Sequence, residues 1–137
     1  PSDYNAVTND LNPNSKVDYH FDALDFLRQY DDNLIDAVLF DPPYSLRQVK
    51  ECYDSIGESL TQRESQRFYS DIKDQISRVL RPGGVAFSFG WSSVGLGMSR
   101  GFDKERLLLV CHGGIHNDTI LLLERKNIDK PSTAREE

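Results

Sequence analysis

An α/β fold on a mostly parallel sheet is predicted by three features of the sequence. Short apolar, β-rich runs alternate with longer stretches of helical periodicity. One run, Asp36 to Phe40, has no polar alternation after its first residue, as expected of a strand covered by helices on both faces. The last two runs are separated only by Cys111 to Asp118, close enough to pair antiparallel. With 137 residues the chain has material for one core, and it is read as one domain over 1–126 followed by a polar, aperiodic tail over 127–137.

Six strands are expected, at Ala6 to Thr8, Val17 to Phe21, Ile35 to Phe40, Val85 to Phe89, Leu107 to Cys111 and Thr119 to Leu123. Between them, Asp22 can cap a short helix from Ala23 to Tyr30 that closes at Asp31-Asp32-Asn33. Leu46, Val49, Tyr53 and Ile56 fall at helical spacing and Gly57 supplies a stop. Phe68, Ile72, Ile76, Val79 and Leu80 form a longer stripe, ended by the turn Arg81-Pro82-Gly83-Gly84 because proline cannot continue a helix.

Composition excludes several classes. Sixteen Lys+Arg against 22 Asp+Glu leave a net charge of −6, the wrong sign for coating nucleic acid by bulk electrostatics. Cys52 and Cys111 form no CxxC pair, which argues against a disulfide scaffold and against zinc, and a reducing cytoplasmic compartment is expected. His112 and His116 are interrupted by Gly113-Gly114, so no helical metal pair is expected either. No apolar run reaches the roughly 18 residues of a membrane span, and no signal pattern opens the chain. Gly90 to Gly97 and Gly113-Gly114 read as rim loops without the Lys-Ser/Thr of a phosphate cradle. Arg47, Lys50, Arg63 and Arg67 read as a solvated helix face, and Tyr30, Tyr53 and Tyr69 as packing residues.

The sharpest feature is Asp41-Pro42-Pro43-Tyr44, placed directly after the apolar strand. In open α/β sheets ligands bind at the carboxyl ends of the strands. Successive prolines fix φ and remove two backbone donors, so the Asp41 carboxylate and the Pro42 carbonyl become rigid acceptors suited to an amino group. Tyr44 offers a flat ring for stacking a planar base, worth roughly 1–3 kcal/mol. A plain strand-ending proline turn with Tyr44 packed is the competing interpretation.

On these residues the chain resembles the amino-methyltransferase branch of the S-adenosylmethionine-dependent methyltransferases, and within it the adenine-N6 DNA methyltransferases. Asp41-Pro42-Pro43-Tyr44 matches that family's catalytic tetrad without substitution. Thr8 to Pro13 looks like the end of the family's second strand, which makes Asp10 the ribose-binding acid. His20 to Leu24 looks like the end of the third, which places Asp22 and the adjoining Ala23 at the cofactor adenine; Asp41 borders the cofactor as well. Ile76 to Gly90 resembles the family's helix, Pro-Gly-Gly turn and fifth strand, and His112 to Asp118 is expected to line the substrate side.

The resemblance implies a Rossmann-like methyltransferase fold and S-adenosylmethionine as cofactor, with no metal. It also implies a flipped adenine of DNA as substrate, with methyl transfer to its N6 amine ahead of cytosine N4 and guanine N2. It covers nearly the whole chain with one departure. The family's first strand and glycine loop should precede Asp10 by about 15–20 residues. Only nine residues stand there, without glycine, so an N-terminal truncation is expected, with weak cofactor binding by the chain as it stands. No target-recognition insertion fits, so sequence choice is assigned to a separate domain or partner. Rival readings are an RNA base methyltransferase acting on guanine N2 or adenine N6, and a catalytically dead binding subunit.

Overall fold

The computed structural model describes residues 6–129. Four strands, β1 (Ile35–Phe40), β2 (Leu80–Gly90), β3 (Phe102–Val110) and β4 (Thr119–Lys126), form one sheet in the order β1-β2-β4-β3. β1 and β2 are parallel, and β4 runs antiparallel to both of its neighbours, so three strands share a direction and β4 opposes them. Helices α1 (Ala23–Leu27), α2 (Leu46–Ser55) and α3 (Gln62–Val79) precede β1 or connect it to β2, and a 3₁₀ turn at Met98–Arg100 leads into β3.

The helices start and stop for local reasons. Asp22 caps α1 by accepting from Leu24 N at 2.8 Å, and Ser45 caps α2. α2 ends before Gly57, whose φ of 77° is the left-handed conformation expected of the stop. α3 starts earlier than the apolar stripe suggests, because Thr61 caps it in a reciprocal capping box with Glu64, about two turns before that stripe begins at Phe68. α1 is shorter than expected: residues 28–30 are a turn, and the Arg78 guanidinium reaches Leu27 O and Tyr30 O there at 3.0 and 2.8 Å.

The core lies between one face of the sheet and the α1–α3 layer, and it comprises Leu27, Ile72, Ile76, Val79, Leu80, Ala86, Leu96 and Phe102. Val38 and Phe40 of β1 pack against it. Their alternates, Ala37 and Leu39, point away, and Leu39 is 71% exposed. The expectation that helices cover this strand on both faces is therefore corrected. Among the described residues the helices occupy one face, and an unbroken apolar run was compatible with either arrangement.

The strand boundaries also move. Arg81 to Gly84, expected as a turn, belongs to β2, whose pairing with β1 begins at Ile35↔Leu80 and slips before Ala37↔Val85. That irregularity accommodates Pro82, which could not sit in a regular central ladder. β3 begins at Phe102 rather than Leu107, and β4 extends to Lys126 because its last residues have buried partners. Lys126 Nζ donates to Ser77 O and Leu80 O, both at 2.6 Å, and to Asn33 Oδ1 at 2.9 Å. The expected strands Ala6 to Thr8 and Val17 to Phe21 are not ladders. They meet in a single parallel bridge, Asn9↔Tyr19, held by Tyr19 N to Thr8 O and Asp10 N to Tyr19 O, each 3.1 Å. An isolated strand pair lacks the third strand and covered face that make a ribbon stable. Of the polar tail, residues 130–137 lie outside the described residues.

Candidate active site

The topology gathers the site at one end of the sheet. Parallel β1 and β2 deliver their carboxyl ends, Phe40 and Gly90, to the same edge, and the antiparallel β4 begins there, with Gly90↔Ile120 and Val110↔Thr119 as partners. Asp41–Tyr44, Trp91 and the loop between β3 and β4 therefore converge. An open cleft of about 710 Å³ lies there, lined by Tyr44 of the tetrad, Gln48, Trp91, Thr119 and His112 to Asn117 without Gly113.

Three hydrogen bonds pin the tetrad. Tyr44 N donates to Gln48 Oε1 at 2.7 Å, Tyr69 OH to Pro43 O at 2.5 Å, and Tyr44 OH to Asp41 Oδ1 at 2.9 Å. Among the described residues, Asp41 Oδ2 and the Pro42 carbonyl receive none, and Asp41 is exposed. The turn thus presents one anionic and one neutral acceptor, both held by the ring constraints of the prolines.

The Tyr44 ring meets Trp91 edge-on, with centroids 5.5 Å apart and planes at 74°. Burial, and after it the bond to the Asp41 carboxylate, raises the Tyr44 phenol above its ordinary value, while the Thr119 hydroxyl acts in the opposite direction. The ring is consequently a neutral donor at physiological pH. Thr119 Oγ1 also shares a hydrogen bond with His112 Nε2 at 3.0 Å, and Asp118 Oδ1 accepts from His112 N at 2.9 Å, which shapes the loop.

Asp10 and Asp22, the two acids expected at the cofactor, do not line this cleft. Asp22 Oδ1 caps α1, the first of the two roles expected of it, and Oδ2 accepts a short hydrogen bond from Tyr53 OH. Ala23, the first residue of α1, packs against the core. Asp10 closes a turn, accepting from Asn12 N at 2.9 Å and from Ser15 OH at 2.6 Å. No hydrogen bond among the described residues joins Asp10 to Asp22 or to the tetrad.

Sequence reasoning missed Trp91, Gln48 and Thr119, and it gave Tyr53 and Tyr69 only packing roles. Trp91 was findable, since it follows the end of a strand that runs parallel to β1. The hydroxyl contacts of Tyr53 and Tyr69 bridge 31 and 26 residues and leave no local signal. Arg47 and Arg67 form helix-surface pairs with Glu51 and Asp71 at 2.8 and 3.0 Å, as a solvated face requires. Among the described residues no three metal-ligating side chains cluster, and no helix is long and apolar enough to cross a membrane.

No protein-family model matches the chain, and no curated protein is significantly similar to it in sequence. Solved structures do share its fold. A candidate DNA modification methylase from Thermus thermophilus superposes with a TM-score of 0.51 at 18% identity, over 85% of this chain and 55% of its own. The same protein has been solved in complex with S-adenosyl-L-methionine, again at a TM-score of 0.51 and 18% identity. TrmN from Thermus thermophilus gives a TM-score of 0.50 at 18% identity, over 80% of this chain and 28% of its own. The chain thus spans about half the length of the methylase, 55%, and a smaller share of TrmN. The described residues have the Rossmann-like methyltransferase fold, a mixed α/β sheet in which β4 runs against the other three strands.

Proposed function

We propose that this chain is the catalytic part of an S-adenosylmethionine-dependent methyltransferase acting on the N6 amine of adenine in DNA. The observation that carries the reading is the pair of open acceptors, Asp41 Oδ2 and Pro42 O, in the turn whose Tyr44 ring lines an open cleft. The fold shared with a candidate DNA modification methylase that binds S-adenosyl-L-methionine supports it.

The residues present fit the cofactor. Each oxygen of Asp10 and Asp22 already accepts one hydrogen bond, and a carboxylate offers about four lone-pair sites, so each acid retains capacity for a ribose hydroxyl or an adenine amine. Asp10 is exposed and Asp22 half-buried. When bound, the cofactor supplies an electrophilic sulfonium methyl group.

The chain's own residues do the rest. A base in duplex DNA has its exocyclic amine engaged in pairing, so it must be flipped out to enter the cleft. Tyr44 stacks on the flipped base, with Trp91 as a perpendicular wall. Asp41 Oδ2 and Pro42 O each accept one N–H of the amine, which turns the nitrogen lone pair out of the ring plane. The anionic acceptor is the stronger, because charge-assisted hydrogen bonds are about twice as strong as neutral ones. A neutral aryl amine is a very weak acid until it is alkylated, so proton loss follows methyl transfer. Positioning and electrostatics then supply the rate.

The test uses methyl-labelled cofactor with duplex DNA and with RNA, for this chain and for a version extended at its N-terminus, followed by digestion to nucleosides. Label in N6-methyldeoxyadenosine, lost in Asp41→Ala, is expected. Label only in cytosine, or only in RNA, overturns the substrate assignment.

A further inference from the structure

The two turns assigned above to cofactor and substrate are joined by an aromatic layer outside the cleft. Tyr53, on α2 and buried, donates its hydroxyl to Asp22 Oδ2. Tyr69, on α3, donates its hydroxyl to Pro43 O at 2.5 Å. Between them stands Phe68, edge-on to both rings: centroids are 6.3 Å apart at 89° toward Tyr53 and 5.2 Å apart at 85° toward Tyr69. T-shaped contacts of this kind are favourable and orientation-specific, so a tilt of one ring is resisted by the next. Each end terminates in a hydrogen bond to a turn that carries a candidate ligand-binding group.

We propose that Tyr53, Phe68 and Tyr69 act as one positioning unit that holds the Asp22 turn in fixed register with the Asp41–Tyr44 turn. Its meaning, the alignment of methyl donor with target amine, rests on the functional reading above; the mechanical coupling does not. None of the three residues lines the cleft. Tyr69 occupies the Pro43 carbonyl, which leaves Pro42 O as the open backbone acceptor of the turn. Tyr53 takes one Asp22 oxygen while the α1 cap takes the other, so that carboxylate cannot rotate. A cycle of variants measures the coupling.

The chain itself provides two reporters that need no activity. Tyr44 N–H, bonded to Gln48 Oε1, reports the tetrad through amide hydrogen exchange. Trp91, the only tryptophan, reports the Tyr44 contact through its near-ultraviolet circular dichroism band. Tyr69→Phe is expected to speed Tyr44 exchange roughly fivefold, the weight of one net hydrogen bond, and to alter the Trp91 band. Tyr53→Phe, remote from the tetrad, is expected to do the same in smaller measure, about twofold or more. Tyr30→Phe, whose ring packs on Phe26 outside this layer, serves as the control and leaves both signals as in the wild type.

Because Tyr53 lies on α2, which begins just after the tetrad, the deciding variant is Phe68→Leu. In that background Tyr53→Phe should no longer reach Tyr44. Persistence of its effect assigns the coupling to α2 and overturns the proposal, as does a Tyr53→Phe chain indistinguishable from wild type in both signals. Should methyl transfer to adenine fail while these shifts appear, the functional reading falls and the coupling stands.

Discussion

Tyr44 donates its hydroxyl hydrogen to Asp41 Oδ1 across 2.9 Å, so the aromatic ring and the carboxylate are one hydrogen-bonded unit. The bond orients the carboxylate and leaves Oδ2 open. Removing the hydroxyl and removing the ring should therefore have different consequences. Tyr44→Phe keeps the ring and is expected to hold base affinity within a few-fold, while Tyr44→Ala forfeits stacking worth roughly 1–3 kcal/mol per base. Titration of an unpaired-adenine DNA against Trp91 fluorescence measures both, and equal losses would show that stacking is not the role of Tyr44.

The acids separate by role. Asp41→Ala is expected to cut turnover on the order of 100-fold or more while cofactor affinity persists, because under the proposed function its partner is the reacting amine. Asp10→Ala should weaken cofactor binding and leave the rate at saturation nearly unchanged. Calorimetric titration of the cofactor beside initial rates resolves the two, and a matching fall in cofactor affinity for both variants would abolish the distinction.

Glu124 anchors the rim loop from inside the sheet. It is fully buried on β4, and its two oxygens accept from Leu96 N at 2.7 Å and Gly97 N at 3.0 Å. Glu124→Ala leaves two N–H groups without partners and is expected to cost roughly 2–5 kcal/mol, since each buried orphan costs about 1–3 kcal/mol. Gly95→Ala should be similarly harmful, because its φ is +61° and an added Cβ would overlap the Glu124 carboxylate. Urea unfolding supplies the values; a loss under about 1 kcal/mol for Glu124→Ala would mean the loop finds other acceptors.

Stability should fall at alkaline pH through the tyrosines. Burial is the first cause raising the phenols of Tyr30, Tyr44, Tyr53 and Tyr69 above their ordinary 10.0, and Asp22 adds to the effect at Tyr53. The folded state thus keeps protons that the unfolded state releases. Their contribution is complete below the unfolded value and is lost as pH rises from 10.0 through the raised folded values. Tyr53→Phe should make the decline shallower and delete the last tyrosine to ionise, as followed by tyrosinate absorbance during unfolding series at increasing pH. An unchanged alkaline slope would contradict the assignment to Tyr53.

Much of the candidate site's local geometry was legible because its signals are local. Asp41 to Tyr44 carries its own rigidity in the two prolines, and its place after an apolar run follows from the strand pattern alone. The same holds for the Asp22 cap, the Gly57 stop and the antiparallel return of the last strands, each set by contacts a few residues apart. The Thr61–Glu64 capping box is equally local, but the apolar stripe from Phe68 by itself places the helix boundary too late.

Other features depended on partners far along the chain. Whether Ala37 and Leu39 are covered is decided by which face α1 and α3 select, and an apolar run fits both outcomes. Whether Val17 to Phe21 becomes a strand depends on a neighbour to complete its ladder, and among the described residues it finds only Asn9. Tyr53 and Tyr69 look like core residues in the sequence. Only the packing of α2 and α3 aims their hydroxyls at Asp22 and Pro43, because a side chain's type states what it can bond and the tertiary fold determines what it reaches.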